Sequence, residues 1–509
     1  MGRPAVRSVK RKTPKEEKSP TNKECPLKPS LYHSFTSLEM GALRKHLLAW
    51  YDKSKRDLPW RTLANTEPDV NRRSYAVWVS EVMLQQTQVA TVIDYYNKWM
   101  KTWPTLQDLA QASLEEVNEK WSGLGYYSRG RRLHEGAKKV VLELKGQMPR
   151  SAEELQKLLP GVGRYTAGAV ASISYGQVTG VVDGNVIRVL CRLRCIGADS
   201  STPAVSDRLW ELANELVDSE RPGDFNQAMM ELGATVCTPK KPQCTDCPLQ
   251  SLCRAYKKAE MESASAANKL LKGKPNLKAE IRDIEECDAP GSCALCLPSS
   301  DPWDIALGVA NFPRKPAKKA SRMERTVTCV CRRLGEDGEP EYLLLQRPSS
   351  GLLAGMWEFP SMLLEKDHAE KDRRHVMCRR LQEVTGHVVS LKEIQYAGEV
   401  VHIFSHIHQT YVVYFLSLCH RKADISVKEE EGEGPATRWV TKKQFQASAV
   451  STAMKKVFKL CENKMPDSSN TSRKRKRDTA DLPPPGGRIK TEPEKQTSIQ
   501  MFFKPAAKK

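Results

Sequence analysis

The chain has 509 residues, enough for two or three domains that each bury a core of their own. It carries 81 basic and 61 acidic side chains, and the net charge of +20 favours a polyanionic partner. No apolar run approaches the roughly 20 residues that span a bilayer, and no signal-peptide pattern is visible, so we expect no membrane association. The fifteen cysteines therefore indicate metal or cluster ligands rather than disulfides.

Much of the positive charge lies at the two ends of the chain. Residues 1–30 carry nine Lys or Arg against three Glu, and residues 471–509 carry eleven against four acids. Both ends are polar, and we expect them to be disordered. The cluster at 473–477 predicts nuclear localisation, and the cluster at 10–12 is either part of such a signal or solvated tail. The sequence leaves a mitochondrial isoform open.

A helical apolar pattern begins near Ser34 and breaks at residues 56–61, which read RDLPWR. By itself this break indicates a helix end with Trp60 packed over the core. Residues 75–100 then keep a 3.6-residue apolar rhythm, which predicts one long helix. Glu81 lies within that segment. Burial would raise its pKa and make it a proton donor near neutral pH, whereas the pattern also allows an exposed glutamate.

Residues 123–129, GLGYYSR, form a glycine turn with two tyrosines beside a basic run. Aromatic side chains on such a turn can insert between stacked bases. The alternative is a loop between helices whose tyrosines pack inward.

Residues 159–163, LPGVG, predict a hairpin between two helices. Gly161 and Gly163 can take positive φ and let a phosphate approach the main-chain N–H groups, at the N-terminus of the next helix. Asp183 follows in the string VVDGNV. It is either a carboxylate used in chemistry or the N-cap of a helix that starts at Val186.

Two groups of cysteines have the spacing of metal ligands. The first group has the spacing C-x6-C-x2-C-x5-C, a strong signal that zinc also satisfies: Cys237, Cys244, Cys247 and Cys253. The second group lies in residues 258–324, whose composition predicts an interdomain linker, and would need a fourth zinc ligand: Cys287, Cys293 and Cys296. Three unliganded loop cysteines are the alternative for the second group.

From Thr326 the pattern becomes β-rich, with strands predicted at 326–332, 342–346, 399–404 and 410–418. The string LAGMWEFP at 353–360 resembles the Nudix-like fold. A Nudix hydrolase holds magnesium on a helix that reads REUxEExG, and residues 379–386 read RRLQEVTG, with two of the three glutamates replaced. One carboxylate beside an arginine holds a divalent ion poorly, so we expect a recognition module rather than a pyrophosphatase.

The C-terminal tail contains the string QTSIQMFF at 496–503. Two phenylalanines in a polar tail have no core to fill, which favours a pocket on a partner. The string fits the box that docks on the sliding clamp, through Gln496, Ile499, Phe502 and Phe503.

Together these motifs resemble the helix-hairpin-helix DNA glycosylases, the superfamily of endonuclease III and MutY, over about residues 34–460. The resemblance implies an α+β multidomain chain. An all-α glycosylase domain with a [4Fe–4S] loop is followed by a linker and an α/β Nudix-like recognition domain. We place the boundaries at 1–30, 31–257, 258–324, 325–460 and 461–509.

The resemblance also implies an activity and its catalytic residues. In MutY proteins, the residue matching Glu81 protonates adenine N7 and the one matching Asp183 stabilises the sugar. Tyr165 and Asn185 would orient the sugar and the attacking water. Bifunctional relatives carry a lysine nucleophile where this chain has Tyr165, so we expect a monofunctional glycosylase. A bifunctional lyase and a non-catalytic damage-binding protein are the alternatives.

Further roles follow from the same resemblance. The hairpin glycines Gly161 and Gly163 would grip the DNA backbone. Gln86 would wedge into the duplex, and Leu124 and Tyr126 would probe the base opposite adenine. The implied adenine pocket comprises Arg56, Leu58 and Trp60. The implied 8-oxoguanine reader comprises Phe404, Ser405 and His406, where a hydroxyl can bond the N7–H and O8 edge; an ordinary strand end is the alternative.

The resemblance finally implies cofactors and partners. The spacing of Cys237 to Cys253 matches the family's [4Fe–4S] loop. Mammalian MutY homologues carry a zinc site that matches Cys287, Cys293 and Cys296, and His33 is the candidate for the fourth ligand, which the sequence does not establish. The expected substrate is duplex DNA with adenine opposite 8-oxoguanine or guanine. Expected protein partners are the clamp PCNA, the checkpoint clamp, an AP endonuclease, replication protein A and mismatch-repair factors.

Overall fold

The computed structural model describes residues 31–271, 287, 293–298, 300–301, 303–314, 320–364, 369–404, 406–418 and 436–464, with residues 266–271 as main chain only. The nuclear-localisation clusters and the clamp-binding box lie outside these residues. None of the described helices is long and apolar enough to cross a membrane.

The first half of the chain is helical. Its helices are α1 (Ser37–Ser54), α2 (Pro59–Thr66), α3 (Val70–Leu84), α4 (Val89–Thr102), α5 (Leu106–Gln111), α6 (Leu114–Trp121), α7 (Ser128–Glu143), α8 (Ala152–Leu158), α9 (Arg164–Tyr175), α10 (Gly184–Leu193), α11 (Pro203–Leu216), α12 (Pro222–Thr235) and α13 (Arg254–Leu271).

Helices α2 to α9 share one core, which we call the first lobe. Its centre is aromatic: Trp78, Trp99 and Trp121 are fully buried. The rings of Trp99 and Trp121 meet edge to face with centroids 5.5 Å apart, an arrangement worth about 0.5–1.5 kcal/mol beyond area burial. This lobe holds Glu81 on α3 and the hairpin between α8 and α9.

Helix α1 packs with α10 to α13 around a second core, the second lobe. Leu43, Leu47 and Tyr51 are the buried face of α1, and their spacing of four residues places them on one side of the helix. Leu295 and Phe312 of the connector join this core, so the connector packs on the second lobe. Glu81 belongs to the first lobe and Asp183 to the second, and the packing of the two lobes brings these carboxyls near each other.

The single helix predicted for residues 75–100 is wrong, because α3 ends at Leu84 and α4 begins at Val89. The apolar residues keep their helical spacing on both sides of the break, so the sequence pattern does not show where α3 ends. The carbonyl oxygens of Val82 and Met83 accept hydrogen bonds from Arg129 Nη1, at 2.8 and 3.0 Å. A side chain from another helix therefore satisfies the end of α3, and local periodicity cannot reveal it.

The domain boundary predicted at residue 257 falls inside α13, which continues to Leu271. The segment is rich in Ala, Lys, Glu and Met, residues with high helix propensity. A composition that indicated a linker therefore extends the second lobe by several helical turns.

The second half of the chain contains a mixed sheet. Its strands are β1 (Arg322–Leu334), β2 (Pro340–Gln346), β3 (Trp357–Glu358), β4 (Ser361–Leu364), β5 (Gln395–Ile403), β6 (Ile407–Ser417) and β7 (Thr437–Thr441). The order is β3-β2-β1-β6-β5, with β4 paired to β1 and β7 to β2; β1 and β6 are parallel. The four predicted strands are confirmed as β1, β2, β5 and β6.

Helices α14 (Glu370–Thr385), α15 (Lys442–Ala447) and α16 (Thr452–Glu462) flank the sheet. The string RRLQEVTG lies on α14 and ends at Gly386, which takes the left-handed conformation of a helix C-cap. Arg380 donates to Glu383 at 3.2 Å. The one glutamate kept from the Nudix signature thus has an arginine partner on its own helix.

The sheet domain packs against α6 and α7 of the first lobe. Met356 is fully buried in the first-lobe core. Glu115 on α6 accepts hydrogen bonds from Trp357 Nε1 at 3.0 Å and from Arg438 Nη1 at 2.7 Å. Ser122, at the end of α6, donates to the carbonyl of Val450 at 3.0 Å. The loop after α6 therefore lies where the two domains meet.

Candidate active site and DNA-reading loops

The hairpin predicted at residues 159–163 connects α8 to α9. Gly161 has φ +75°, and a Cβ there would lie 2.6 Å from Arg132 Cδ, so glycine is required. Gly163 differs from the prediction: its φ is −91°, and it is the N-cap of α9. No heavy atom lies within 4 Å of a Cβ built on Gly163. Its main chain is therefore open to an approaching anion at a helix N-terminus.

Glu81 is buried, with 5% of its surface exposed, and the exposed alternative is wrong. Burial raises the pKa of Glu81 to about 7. The hydroxyl of Tyr165 donates to Glu81 Oε2 at 2.6 Å and favours the ionised form, whereas the nearby Asp183 opposes it. The result is a carboxyl that can give up a proton near neutral pH.

Asp183 caps α10, as one sequence interpretation predicted, although the helix starts at Gly184 rather than Val186. Its Oδ1 accepts from the main-chain N–H of Asn185 at 2.9 Å and of Val186 at 2.7 Å. Its Oδ2 accepts from the Asn185 amide at 2.8 Å. Burial raises the pKa of Asp183, and these three donors act against that shift. The cap also fixes the carboxylate in place.

Arg188 links this cap to the cysteine loop. It donates to Asn185 Oδ1 at 2.7 Å and to the carbonyl of Cys237 at 2.7 Å. No sequence pattern marks Arg188 as a site residue, since one turn after a cap an arginine is an ordinary helix residue.

The three residues expected in the adenine pocket lie near the junction of the lobes. Leu58 and Trp60 are buried in the first-lobe core. Arg56 Nε donates to Glu231 on α12 at 2.6 Å, and Arg61 Nη2 donates to the same carboxylate at 2.8 Å. Glu231 was not predicted as a site residue, although a carboxylate on the apolar face of a helix gives the same signal as Glu81.

Gln86 and Tyr126 occupy exposed loop positions with φ of 56° and 48°. Tyr126 is 44% exposed, whereas its neighbour Tyr127 is buried. Tyr126 is therefore exposed and able to insert between bases, as one interpretation predicted, whereas Tyr127 packs inward, as the other predicted. Leu124 is buried in the first-lobe core.

The β5–β6 turn lies across a cleft from Tyr126. A cavity of about 370 Å³ is lined by both domains, including Tyr126, Arg131, Leu352, His402, Phe404 and His406. The rings of His402 and Phe404 meet edge to face at 4.6 Å. Ser405 is outside the described residues. The structure thus brings together side chains, separated by more than 250 residues, that the sequence analysis assigned to the same base.

The four cysteines of the first group line one cavity between α10, α12 and α13. Arg192 donates to Cys237 Sγ at 3.3 Å. Among the described residues, these four thiols are not gathered within 4.8 Å of one another, as the ligand atoms of the second group are. Their arrangement around a cavity suits a group larger than a single ion.

The second group is compact. The ligand atoms of His33, Cys287, Cys293 and Cys296 all lie within 4.8 Å of one another, the spacing of ligands around one ion. His33 Nδ1 lies 2.8 Å from the carbonyl of Arg194. That carbonyl can only accept, so Nδ1 carries the proton and Nε2 is left to face a metal.

These features define a class of protein. The first half matches the family model of the HhH-GPD superfamily base excision DNA repair proteins over residues 79–215, and the second half matches the NUDIX domain over residues 331–460. A buried acid beside a capped aspartate, behind a hairpin with an open helix N-terminus, belongs to a base-excision DNA glycosylase.

Similarity to known proteins specifies the family. The chain is 58% identical to mouse adenine DNA glycosylase over 436 residues, covering 85% of this chain and 81% of the mouse protein. It is 57% identical to human adenine DNA glycosylase over 446 residues, covering 86% and 77%. The chain belongs to the adenine DNA glycosylases, base excision repair enzymes of the MutY type.

A solved structure is similar to the second half. The C-terminal domain of mouse MUTYH, in a complex with human PCNA, is 40% identical and covers 28% of this chain and 90% of that domain, with a TM-score of 0.24.

Proposed function

We propose that the chain releases adenine from A:8-oxoguanine pairs, and more slowly from A:G pairs, by hydrolysis of the N-glycosidic bond. Glu81 acts as the acid and Asp183 stabilises the sugar. The supporting observation is the difference between these two buried carboxyls: Glu81 has a pKa of about 7, and Asp183 accepts three hydrogen bonds.

The chemistry divides into proton transfer and bond cleavage. Glu81 gives its proton to adenine N7, and the electron pair of the C1′–N9 bond leaves with the base. Positive charge then develops on the sugar, where the Asp183 carboxylate opposes it, as a second carboxylate does in glycoside cleavage. Water attacks C1′, and its proton returns to Glu81. Acid catalysis of this kind contributes about 10²–10⁴-fold to the rate.

Tyr165 supports hydrolysis rather than strand cleavage. It stands where bifunctional relatives have an amine, and its hydroxyl donates to Glu81. Without an amine no Schiff base forms, so no β-elimination follows. Asn185 holds Asp183, and orienting the water remains a further role that we assign to it.

Reading of the opposite base falls to the cleft between the domains. Tyr126 from the first lobe and Phe404 and His406 from the β5–β6 turn line the same cavity. Ser405 would supply the hydroxyl that bonds the 8-oxoguanine edge, and Gln86 would fill the space that adenine leaves.

Two cofactors complete the proposal. Cys237, Cys244, Cys247 and Cys253 would hold a [4Fe–4S] cluster, which supplies a charged, rigid loop against DNA. His33, Cys287, Cys293 and Cys296 would hold zinc, since three thiols and one imidazole nitrogen without a proton are ligands that this ion prefers. Elemental analysis of purified protein should give four iron atoms and one zinc per chain.

The remaining assignments rest on sequence motifs. The basic clusters of the tails support nuclear localisation, and the QTSIQMFF string supports docking on PCNA. The other partners expected from the resemblance are the checkpoint clamp, the AP endonuclease, replication protein A and the mismatch-repair factors.

The direct test is single-turnover release of adenine from A:8-oxoguanine and A:G duplexes. We expect Glu81→Gln and Asp183→Asn each to lower the rate by about 10²–10⁴-fold and to leave DNA binding intact. Glu143→Gln, on the exposed end of α7, is the charge-matched control. Appreciable release by either active-site variant would reject the role of that residue. Equal rates on the two duplexes would reject the proposed role of the sheet domain.

A further inference from the structure

Arg129 is a buried arginine whose contacts differ from those of an ordinary ion pair. It is 8% exposed, and no carboxylate of the described residues pairs with it. All its partners are main-chain carbonyls or a hydroxyl, at Val82, Met83, Gln85, Thr87, Gly125 and Tyr126. Burial lowers the pKa of Arg129 to about 10, so the guanidinium keeps its charge at neutral pH.

Val82 and Met83 lie at the end of α3, and the other four partners belong to two separate loops. Residues 85–88 connect α3 to α4 and carry Gln86; we call them the wedge loop. Residues 122–127 connect α6 to α7 and carry Tyr126; we call them the probe loop. Arg129 Nη2 alone bonds both, with the Thr87 hydroxyl at 3.2 Å and the Gly125 carbonyl at 3.1 Å. One rigid, planar group therefore joins the two loops.

Each loop contains one residue with an unfavourable backbone conformation. Gln86 and Tyr126 have φ of 56° and 48°, in the left-handed region that side chains other than glycine rarely occupy. Such conformations persist only where the surroundings hold them. The bonds from Arg129 to the carbonyls of Gln85 and Tyr126 lie next to or at these two residues.

The guanidinium also packs against aromatic rings. Its central carbon lies 5.5 Å from the ring of Trp121 and 5.3 Å from that of Tyr126. Trp121 is fully buried and in turn donates to the Gly125 carbonyl at 2.9 Å. The exposed ring of Tyr126 is thus supported from below by a group anchored in the core.

We propose that Arg129 is a positioning residue that fixes the wedge loop relative to the probe loop. Expulsion of adenine and reading of the base opposite then happen in one encounter. This inference rests on the proposed function, because it assigns Gln86 and Tyr126 to the two strands of one base pair.

Lysine cannot replace this arginine. A lysine keeps the charge and can bond the carbonyls at the end of α3, but its single ammonium has neither the second arm nor the planar face. We therefore expect Arg129→Lys to fold and to bind DNA, since the hairpin is unchanged, and to lose the coupling of the two loops.

The experiment measures base flipping without chemistry. A duplex with 2-aminopurine in place of the target adenine, opposite 8-oxoguanine, brightens when that base leaves the stack. Asp183→Asn is the background that prevents base release, and the signal is divided by the amount of bound protein. Arg44→Lys is the matched control, because Arg44 donates to the carbonyls of Leu216 and Glu215, far along the chain from both loops.

We expect the flipping rate of Arg129→Lys to fall on the order of 10–100-fold, the effect of a misplaced contact of about 1 Å. The flipping rate of Arg129→Met should fall further, and the flipping rate of Arg44→Lys should equal that of the background protein. In the Asp183-intact chain, Arg129→Lys should also narrow the rate difference between A:8-oxoguanine and A:G duplexes. Wild-type flipping and discrimination in Arg129→Lys would overturn the inference. No brightening with Arg129 intact would instead reject base flipping and thus the proposed function.

Discussion

The proton on Glu81 is a consequence of burial at a single residue. Its pKa of about 7 exceeds the ordinary value of 4.5, although the Tyr165 hydroxyl opposes the rise. Because the folded protein binds this proton more tightly than the unfolded chain, Glu81 stabilises the fold at acidic pH. That contribution is lost as the pH rises towards 7. The site thus gains an acid and gives up stability at the pH where it works.

This balance predicts a pH profile. The protonated form of Glu81 and the ionised form of Asp183 are the active ones, so single-turnover base release should fall tenfold per pH unit above pH 7 and should also fall in acid, where Asp183 takes up a proton. Tyr165→Phe removes a donor to the carboxylate, which destabilises the charged form and raises the pKa of Glu81. The descending limb should move to higher pH. A rate–pH series in both proteins measures it, and an unmoved limb would show that Tyr165 does not tune this acid.

Sequence prediction at the residue scale succeeded where a residue type is unusual for its place. A glutamate within an apolar run and an aspartate before a glycine both indicated the site. Arg61 and Arg188 were missed because each is an ordinary charged residue until the fold supplies its partner. Glu231 was missed although, like Glu81, it is a carboxylate on the apolar face of a helix.

At the scale of elements, the two glycines of the hairpin motif have different functions. Gly161 has a positive φ and no room for a side chain, whereas Gly163 has an extended conformation and open space. The motif predicts both glycines but cannot separate a requirement of the backbone from a requirement of the ligand.

We therefore expect the two alanine variants to behave differently. Gly161→Ala should lower the free energy of unfolding by about 1–2 kcal/mol, the cost of the left-handed conformation. Gly163→Ala should cost about 0.5 kcal/mol, a change of N-cap only, and should reduce DNA affinity because a methyl group blocks the N–H groups of α9. Thermal unfolding and a DNA titration separate the two. Equal loss of stability, or normal DNA affinity in Gly163→Ala, would contradict this division.

The sequence pattern did not reveal the break between α3 and α4. The apolar periodicity runs through it, and the residues that end α3 are bonded by Arg129 from a distant helix. Periodicity reports which face of a helix is buried, not where a tertiary contact ends it.

At the scale of the whole molecule, the sheet domain is joined to the first lobe near the probe loop. Glu115 accepts from both Trp357 and Arg438, and the Arg438 guanidinium lies 3.9 Å from the Trp357 ring. This contact helps to hold the domains in the arrangement in which the β5–β6 turn and Tyr126 line one cleft.

Weakening this contact should affect discrimination more than chemistry. We expect Glu115→Ala to lower the preference for A:8-oxoguanine over A:G several-fold, with the rate on A:G nearly unchanged, because the two active-site carboxyls belong to the lobes. Single-turnover rates on both duplexes measure the ratio, and Glu143→Ala on α7 is the control. An unchanged ratio would reject this role of Glu115 and leave the alignment of the domains to their other contacts, such as the buried Met356 and the Ser122–Val450 hydrogen bond.

The sequence by itself determined which chemical groups the protein carries. Their residue types can be recognised in short segments of the chain: the hairpin, the two carboxyls, both cysteine groups and the altered Nudix helix. Only the tertiary structure decided how these parts meet. It paired His33 with three connector cysteines and set Tyr165 against Glu81. It also placed Phe404 across a cleft from Tyr126 and joined two loops through Arg129. Each of these contacts joins residues far apart in the chain. Long-range contacts depend on the packing of whole elements, which no local pattern of residues encodes.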